Sequence, residues 1–495
     1  MSKPSVFPTQ HILTVLLLTT IAYAVIFLFY SSFKKKNALR IPDMKERTSR
    51  FLVFWVLFAA LAIRIMVSCL VVGHKTDINC FAIWGNNLAT GGFKSFYNPN
   101  SGMPDYPPGY MYILGLMSKI SSSIGHGVFD ANKNFDLVYV TIIKLPSIIA
   151  DLAASYVIFR LARKKFTFMP SLLLMSLVAF SPLMIYISSG WGQIDQILAV
   201  LILASILALN SNKPILAGIL YGFAILMKPQ ALMVGPLMAL AYVFYVFDPD
   251  FFKIHNVECR DKLAVRLVKT IAAVACACLM IILAAIPFST EAFPWYKLIV
   301  QKYLGTATSY KYASVNAYNI YALCGHNWTK ISERTFIGLT FGQVGTIGMV
   351  ISVLAGGALY FFGRKKNSGA LFLAVAFTFI SLFMLGHYMH ERYLFPALLL
   401  LLAAYICYGD RRLLYLFFGF SVTTMLNCLA AFYYSKYHEY QLYWDKRIIF
   451  GCSLANVIIF ILFVYVCIRI MIAGKIASDV FGEEKKLPVG PADKK

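Results

Sequence analysis

Asp77 stands just past the end of an apolar run, in Val72-Gly73-His74-Lys75-Thr76-Asp77, and opens a long polar and aromatic stretch. That stretch continues to Asp105-Tyr106-Pro107-Pro108-Gly109-Tyr110. A carboxylate at such a rim can take the proton of an attacking hydroxyl, with His74 and Asn79 beside it; a solvated loop acid is the other reading. Lys228 lies between two apolar runs, in Lys228-Pro229-Gln230. An ammonium there suits a lipid phosphate, and a structural ion pair is the alternative, because charges at membrane depth are costly. His390-Glu391-Arg392 precedes the run that begins at Leu394. A His and an Arg two residues apart can hold different oxygens of one phosphate, with Glu391 orienting either of them. An ordinary interfacial charge cluster reads the same way.

Weaker candidates surround these. Asp195, after Trp191-Gly192-Gln193, offers a second carboxylate or a polar contact to a hydroxylated ligand such as a sugar, and Gln193 and Gln230 offer amides. Ser314-Val315-Asn316-Ala317-Tyr318-Asn319 supplies two more amides, Asn316 and Asn319, among rings, as an aromatic belt also would. Lys144 could extend a phosphate-binding basic patch. Arg64 and Asp151 fall near mid-depth of neighbouring apolar runs and are expected to form a structural ion pair.

The elements that must position these residues are membrane helices. The chain has 495 residues, of which 59% are hydrophobic and 14% charged, and apolar runs of about 20 residues recur along it. The formal charge of +23 would suggest nucleic acid in a soluble protein. Here the greater part of the Lys and Arg falls in alternate loops, so topology explains the excess and no nucleic-acid partner is expected. The ten Cys are scattered without CxxC spacing, which argues against a metal site or a disulfide framework. Cys80 and Cys324 alone fall in predicted outer loops.

About thirteen spans are predicted, near 12–30, 51–73, 138–160, 168–188, 193–210, 214–227, 230–247, 270–287, 335–362, 370–386, 394–408, 413–434 and 448–470. Lys34-Lys35-Lys36 and the basic residues to Arg50 follow the first span and are expected inside, as are Arg163-Lys164-Lys165, Lys253 through Lys269, Arg364-Lys365-Lys366 and Arg411-Arg412. This alternation holds only if residues 106–124 lie along the interface rather than crossing, as Pro107-Pro108-Gly109 and Lys119 suit. Residues 74–137, 189–193, 288–334 and 386–393 are then outside. Three regions result: an N-terminal anchor with a basic loop (1–50), a catalytic membrane domain (51–475) and a short tail (476–495). No repeat of two halves is visible, and the long loop at 74–137 has no counterpart later in the chain, which favours an enzyme over a transporter or flippase.

The arrangement resembles the GT-C superfamily of polyprenyl-phosphate-sugar glycosyltransferases, in particular the glucosyltransferases of N-glycan assembly and bacterial relatives of GPI-anchor mannosyltransferases. Asp77, Asp105-Tyr106-Pro107-Pro108, Lys144 with Asp151, Gly192-Gln193, Lys228 with Gln230, and His390-Glu391-Arg392 carry the resemblance, in the family's order. It implies an all-α polytopic GT-C fold with a large first catalytic outer loop containing interfacial helices. It also implies inverting transfer of a hexose, mannose or glucose, from a polyprenyl-phosphate sugar to a glycan, glycolipid or protein acceptor. In that reading Asp77 is the base, and Lys228, His390 and Arg392 hold the donor phosphate. Gly190-Trp191-Gly192-Gln193 departs from the His-rich turn of the N-glycan enzymes. A protein O-mannosyltransferase is the rival within the class, for which a second acid is expected beside Asp77 where this chain has Ile78-Asn79. No cofactor or metal is called for. A bacterial cytoplasmic membrane with an extracytoplasmic site is the expected location.

Overall fold

Bilayer-length apolar runs must satisfy their backbone groups internally, and here they do so as helices. The computed structural model describes residue 23 and residues 46–94, 96–97, 104–305, 311–436 and 446–477, the side chains of 433–436 excepted. The predicted first span and its basic loop, apart from Tyr23 and residues 46–50, lie outside the described residues, as does the tail beyond 477. The principal helices are α1 (Glu46–Leu70), α2 (Lys75–Gly91), α3 (Pro108–Ser123), α4 (Leu137–Ala162), α5 (Phe168–Ala179), α6 (Asp195–Asn210), α7 (Pro214–Met227) and α8 (Gly235–Phe247). They continue with α9 (Leu263–Ala285), α10 (Phe341–Gly363), α11 (Ala370–Leu385), α12 (Phe395–Tyr408), α13 (Arg411–Lys436) and α14 (Lys446–Cys467). This is an all-α polytopic membrane protein, with 8 helical stretches among the described residues long and apolar enough to cross a bilayer.

Four of the predicted spans are shorter than a crossing requires. α6 and α11 have 16 residues and α7 and α12 have 14, whereas about 20 are needed. Apolar composition alone could not separate them from true spans, because most of their side chains are buried against other helices, α7 alone exposing Ile215, Leu216 and Phe223. Each stops or starts at a polar segment: α6 at Asp195, α7 at Lys228, α11 at Gly386, α12 just after Arg392. Two boundaries also move, since α9 begins at Leu263 rather than 270 and α10 at Phe341 rather than 335. Helix α3 is not among the helices long and apolar enough to cross.

The predicted inside loops gather at one end. Arg364 Nε meets Asp248 Oδ2 at 2.8 Å, Lys365 meets Asp250 at 2.9 Å, and Lys165 and Asn367 both donate to Cys407 O. The other end holds the remaining polar segments. There His74 N donates to Trp191 O (3.1 Å), and a two-residue parallel ribbon joins β1 (Ser314–Val315) to β2 (Met389–His390). That ribbon ties the loop after α9 to the segment carrying Arg392. Within the bundle Arg64 Nε donates to Asp151 Oδ2 at 2.7 Å, both side chains fully buried, so the expected ion pair forms. Cys80 and Cys324 are both free thiols.

In a background lacking the exposed Cys69, Cys278 and Cys324, Asn132→Cys is expected to react with an impermeant maleimide on intact cells. Arg260→Cys is expected to react only after permeabilisation, and the reverse pattern would overturn the assigned orientation.

Candidate active site

Two backbone segments must touch for the site to exist. Gly73 has φ +121°, and a Cβ there would stand 2.6 Å from Trp191 O; Gly192 has φ +88°. Both conformations disfavour L side chains. They let the link between α1 and α2 lie directly on the turn before α6. Ahead of that turn the helix widens into a π segment, Tyr186–Trp191, a geometry common at functional sites. Helix α4 fastens it at several points. Lys144 Nζ donates to Ser189 O (2.8 Å) and Val71 O (2.7 Å), Ser147 Oγ donates to Gln193 O (2.8 Å), and Asp151 Oδ2 accepts from Ser188 Oγ (2.6 Å). Helix α2 in turn packs through Ile78, Phe81 and Leu88 against α3 and α4, with the Phe81 ring edge-on to Tyr106 and Tyr110.

Asp77 lies in the first turn of α2, where the helix dipole favours an anion. Its Oδ2 accepts from Trp191 Nε1 (2.6 Å) and Gln193 Nε2 (2.6 Å) and lies 3.5 Å from Arg392 and 3.7 Å from His74. Oδ1 takes no hydrogen bond or ion pair among the described residues. Asp77 is also the most open of the charged side chains here, at 21% exposed against 11% for Arg392, 5% for Lys228 and 0% for Asp195. Burial pushes its carboxyl up, but the Arg392 charge, then His74 and the two hydrogen bonds outweigh this and hold it at about 2.

Arg392 is shared among three acids: Glu391 at 2.6 Å, and Asp77 and Asp195 each at 3.5 Å. Its guanidinium stands 4.9 Å from the Trp191 ring centre. Lys228 reaches the same cluster from another side. The residue before a proline is driven to extended backbone, and Lys228 adopts φ −148°, ψ 137° between α7 and the 3-10 turn Pro229–Val234. Its Nζ bonds Asp195 Oδ1 (2.6 Å) and Gln193 Oε1 (3.3 Å), while Tyr106 OH donates to that same Gln193 oxygen at 3.0 Å. Asp77, Tyr106, Gln193, Asp195, Lys228, Glu391 and Arg392 therefore form one contiguous network from five separate parts of the chain.

The other candidates stand around or apart from it. Buried Gln230 is on the turn after Lys228, its Oε1 without a hydrogen-bond partner among the described residues. Burial, then the Arg392 charge, hold His390 at about 3, so its imidazole enters the site neutral. Burial, reinforced by Asp77, raises Asp105, while its own backbone and Lys302 oppose this. Lys144 has two of its three donors committed to backbone carbonyls. Asn316 and Asn319 are committed elsewhere: Asn316 Oδ1 accepts from Trp328 Nε1, and Asn319 caps Tyr321 and Ala322 and donates to Phe383 O in α11. No cluster of three His, Cys, Asp or Glu fit to hold a metal occurs among the described residues.

Two contributors escaped the reading of the sequence as site residues. Trp191 looked like part of a turn, although its indole N–H bonds Asp77. Lys302 carried no motif; its Nζ donates to Pro104 O and stands 5.1 Å from the Tyr97 ring centre, fastening the segment that leads into Tyr106. These contacts were invisible at a separation of 198 residues from Pro104.

With this geometry in hand, residues 136–254 match the family described as dolichyl-phosphate-mannose-protein mannosyltransferase, a family of the GT-C superfamily. The matched segment contains Trp191, Gln193, Asp195 and Lys228 but neither Asp77 nor Arg392. No curated protein matches the chain. The match and the membrane helices support a membrane glycosyltransferase of the mannosyltransferase type.

The Lys228–Asp195 pair has a separable structural role. Lys228→Met is expected to destabilise the detergent-solubilised protein by about 3–5 kcal/mol, the usual cost of stranding one member of a buried pair. Lys228→Met/Asp195→Asn should recover most of that in thermal unfolding, while a double variant no more stable than the single one would refute the pairing.

Proposed function

We propose that the protein is an inverting glycosyltransferase that moves a hexose, mannose or glucose, from a polyprenyl-phosphate sugar to an acceptor hydroxyl on the extracytoplasmic side of the membrane. The observation that carries this reading is the meeting of Asp77, with one open oxygen, and two cations drawn from distant parts of the chain. A phosphate leaving group needs charge stabilisation more than protonation, and fixed cations in a water-poor site provide it. The acceptor hydroxyl needs a base, and in-line attack on C1 opposite the phosphate inverts that carbon. Asp77 Oδ1 is the oxygen available to take the hydroxyl proton; Arg392 and Lys228 are the groups suited to the phosphate, with neutral His390 able to donate one N–H.

Three carboxylates face two cations in this cluster. Burial lifts the Glu391 carboxyl against the pull of Arg392, and its protonation would balance the set. A donor phosphate drawing on Arg392 would weaken the charge that depresses Asp77. Donor binding thus turns a very weak base into a stronger one.

The described family names dolichyl-phosphate-mannose as donor and protein as acceptor, which favours a protein O-mannosyltransferase as the second reading. The expected second acid need not be adjacent in sequence, because Glu391 and Asp195 both reach Asp77 through Arg392. Assaying polyprenyl-phosphate mannose with Ser/Thr peptides against glycan and glycolipid acceptors separates the two.

Asp77→Asn is expected to abolish transfer while leaving membrane insertion intact, and near-normal turnover would remove Asp77 as the base. Arg392→Lys keeps the charge but loses the fork; it should raise the donor KM at least about tenfold and leave the acceptor KM close to normal. Equal effects on both substrates would reject the phosphate assignment. Because Asp77 must be ionised to act, activity falls as pH drops through its pKa. In kcat/KM, which reports the free enzyme, this group should cause no loss until well below pH 4. In kcat the acidic limb should lie at higher pH, since bound phosphate offsets Arg392; coincident limbs would overturn the coupling.

A further inference from the structure

We infer that Trp191 is a positioning residue that fixes the plane of the Asp77 carboxylate, so that one oxygen faces the acceptor, and holds the base and the donor-binding cation in register. This rests on the reading of Asp77 as the base. The indole Nε1 donates to Asp77 Oδ2 at 2.6 Å, while the ring lies under the Arg392 guanidinium at 4.9 Å and stacks on His74 at 4.6 Å with a 10° interplanar angle. One rigid ring therefore touches both the proton acceptor and the cation that would meet the phosphate. The ring is itself immobilised. It is 1% exposed, edge-on to Tyr186 and Phe432, and rooted in a π segment that α4 fastens at Ser188 and Ser189.

A carboxylate can rotate about its Cβ–Cγ bond, and because its two oxygens are equivalent it is the plane that must be fixed. Gln193 alone would leave that plane governed by an amide that also bonds Lys228 and Tyr106. The indole N–H is a single-purpose donor with no acceptor atom of its own, so its bond to one oxygen turns the other toward the acceptor. The aromatic face adds a cation–π contact that steers Arg392. The two functions belong to different parts of one side chain and can be separated by substitution.

Trp191→Phe keeps a ring and removes the N–H. Its kcat should fall roughly tenfold to a hundredfold, the range for one hydrogen bond to a charged group. Its donor KM should stay within about threefold of normal, and the acidic limb of its kcat/KM profile should move to higher pH as the ionised carboxylate loses a donor. Trp191→Leu removes the ring as well and should raise the donor KM in addition. 3-Benzothienylalanine placed at position 191, a bicyclic isostere with no N–H, should repeat the Phe result if the Phe variant does not accumulate. A kcat and acidic limb unchanged in whichever aromatic variant folds would overturn the inference, as would a stability loss with normal kcat in the folded fraction. Asp77→Asn assayed alongside distinguishes the failures. If it is fully active, the base assignment fails. If it is inactive while the aromatic variants are normal, only the role of Trp191 fails.

Discussion

The guanidinium of Arg392 is the charge on which the rest of the site depends. Three carboxylates crowd one end of a membrane bundle, and bringing them out of water would be prohibitive without a cation among them. Arg392 meets all three, and Lys228 completes the neutralisation from the opposite side at Asp195. The planar fork suits this because it presents several donors at once and cannot lose its charge. On the proposed reading, a donor phosphate would draw on the same contacts that hold these acids together.

The scaffold is shaped to bring these charges to one depth. Helices α6, α7, α11 and α12 are too short to cross alone, and their ends at this side carry Asp195, Lys228 and the segment from Gly386 to Arg392. Apolar neighbours bury α6, α11 and α12, while α7 and the longer helices present exposed apolar faces. Gly73 and Gly192 then allow two loops to touch where any side chain would hold them apart. Lys144, Ser147 and Asp151 fasten the turn from below, which explains a line of polar residues along one face of an otherwise apolar helix.

The functional reading joins two independent lines. The family match covers the turn before α6 and the break at Lys228, whereas Asp77, the proposed base, and the shared Arg392 guanidinium lie outside it. Geometry alone links the two: Gln193 and Trp191, inside the matched segment, are the residues that hydrogen-bond Asp77. A transporter would need its charges along a path through the bundle, whereas the ion pairs described here gather toward its two ends, apart from the buried Arg64–Asp151 pair.

Composition and periodicity were enough to read an all-α membrane protein, because a bilayer admits few other ways to satisfy the backbone. The positive-inside pattern grouped the loops in the way their contacts later did, and Pro229 foretold the break at Lys228 because its ring excludes continued helix. Charges in unfavourable places marked Asp77, Lys228 and Arg392, since burying them has a cost that chance does not repeat. What the order of residues left open was partnership. Whether Lys228 was paired, whether Lys144 faced the site, and whether Trp191 was more than a turn residue all depend on contacts between segments tens to hundreds of residues apart. Those contacts arise from the tertiary packing of short helices and two glycine-mediated approaches, and no local pattern encodes them.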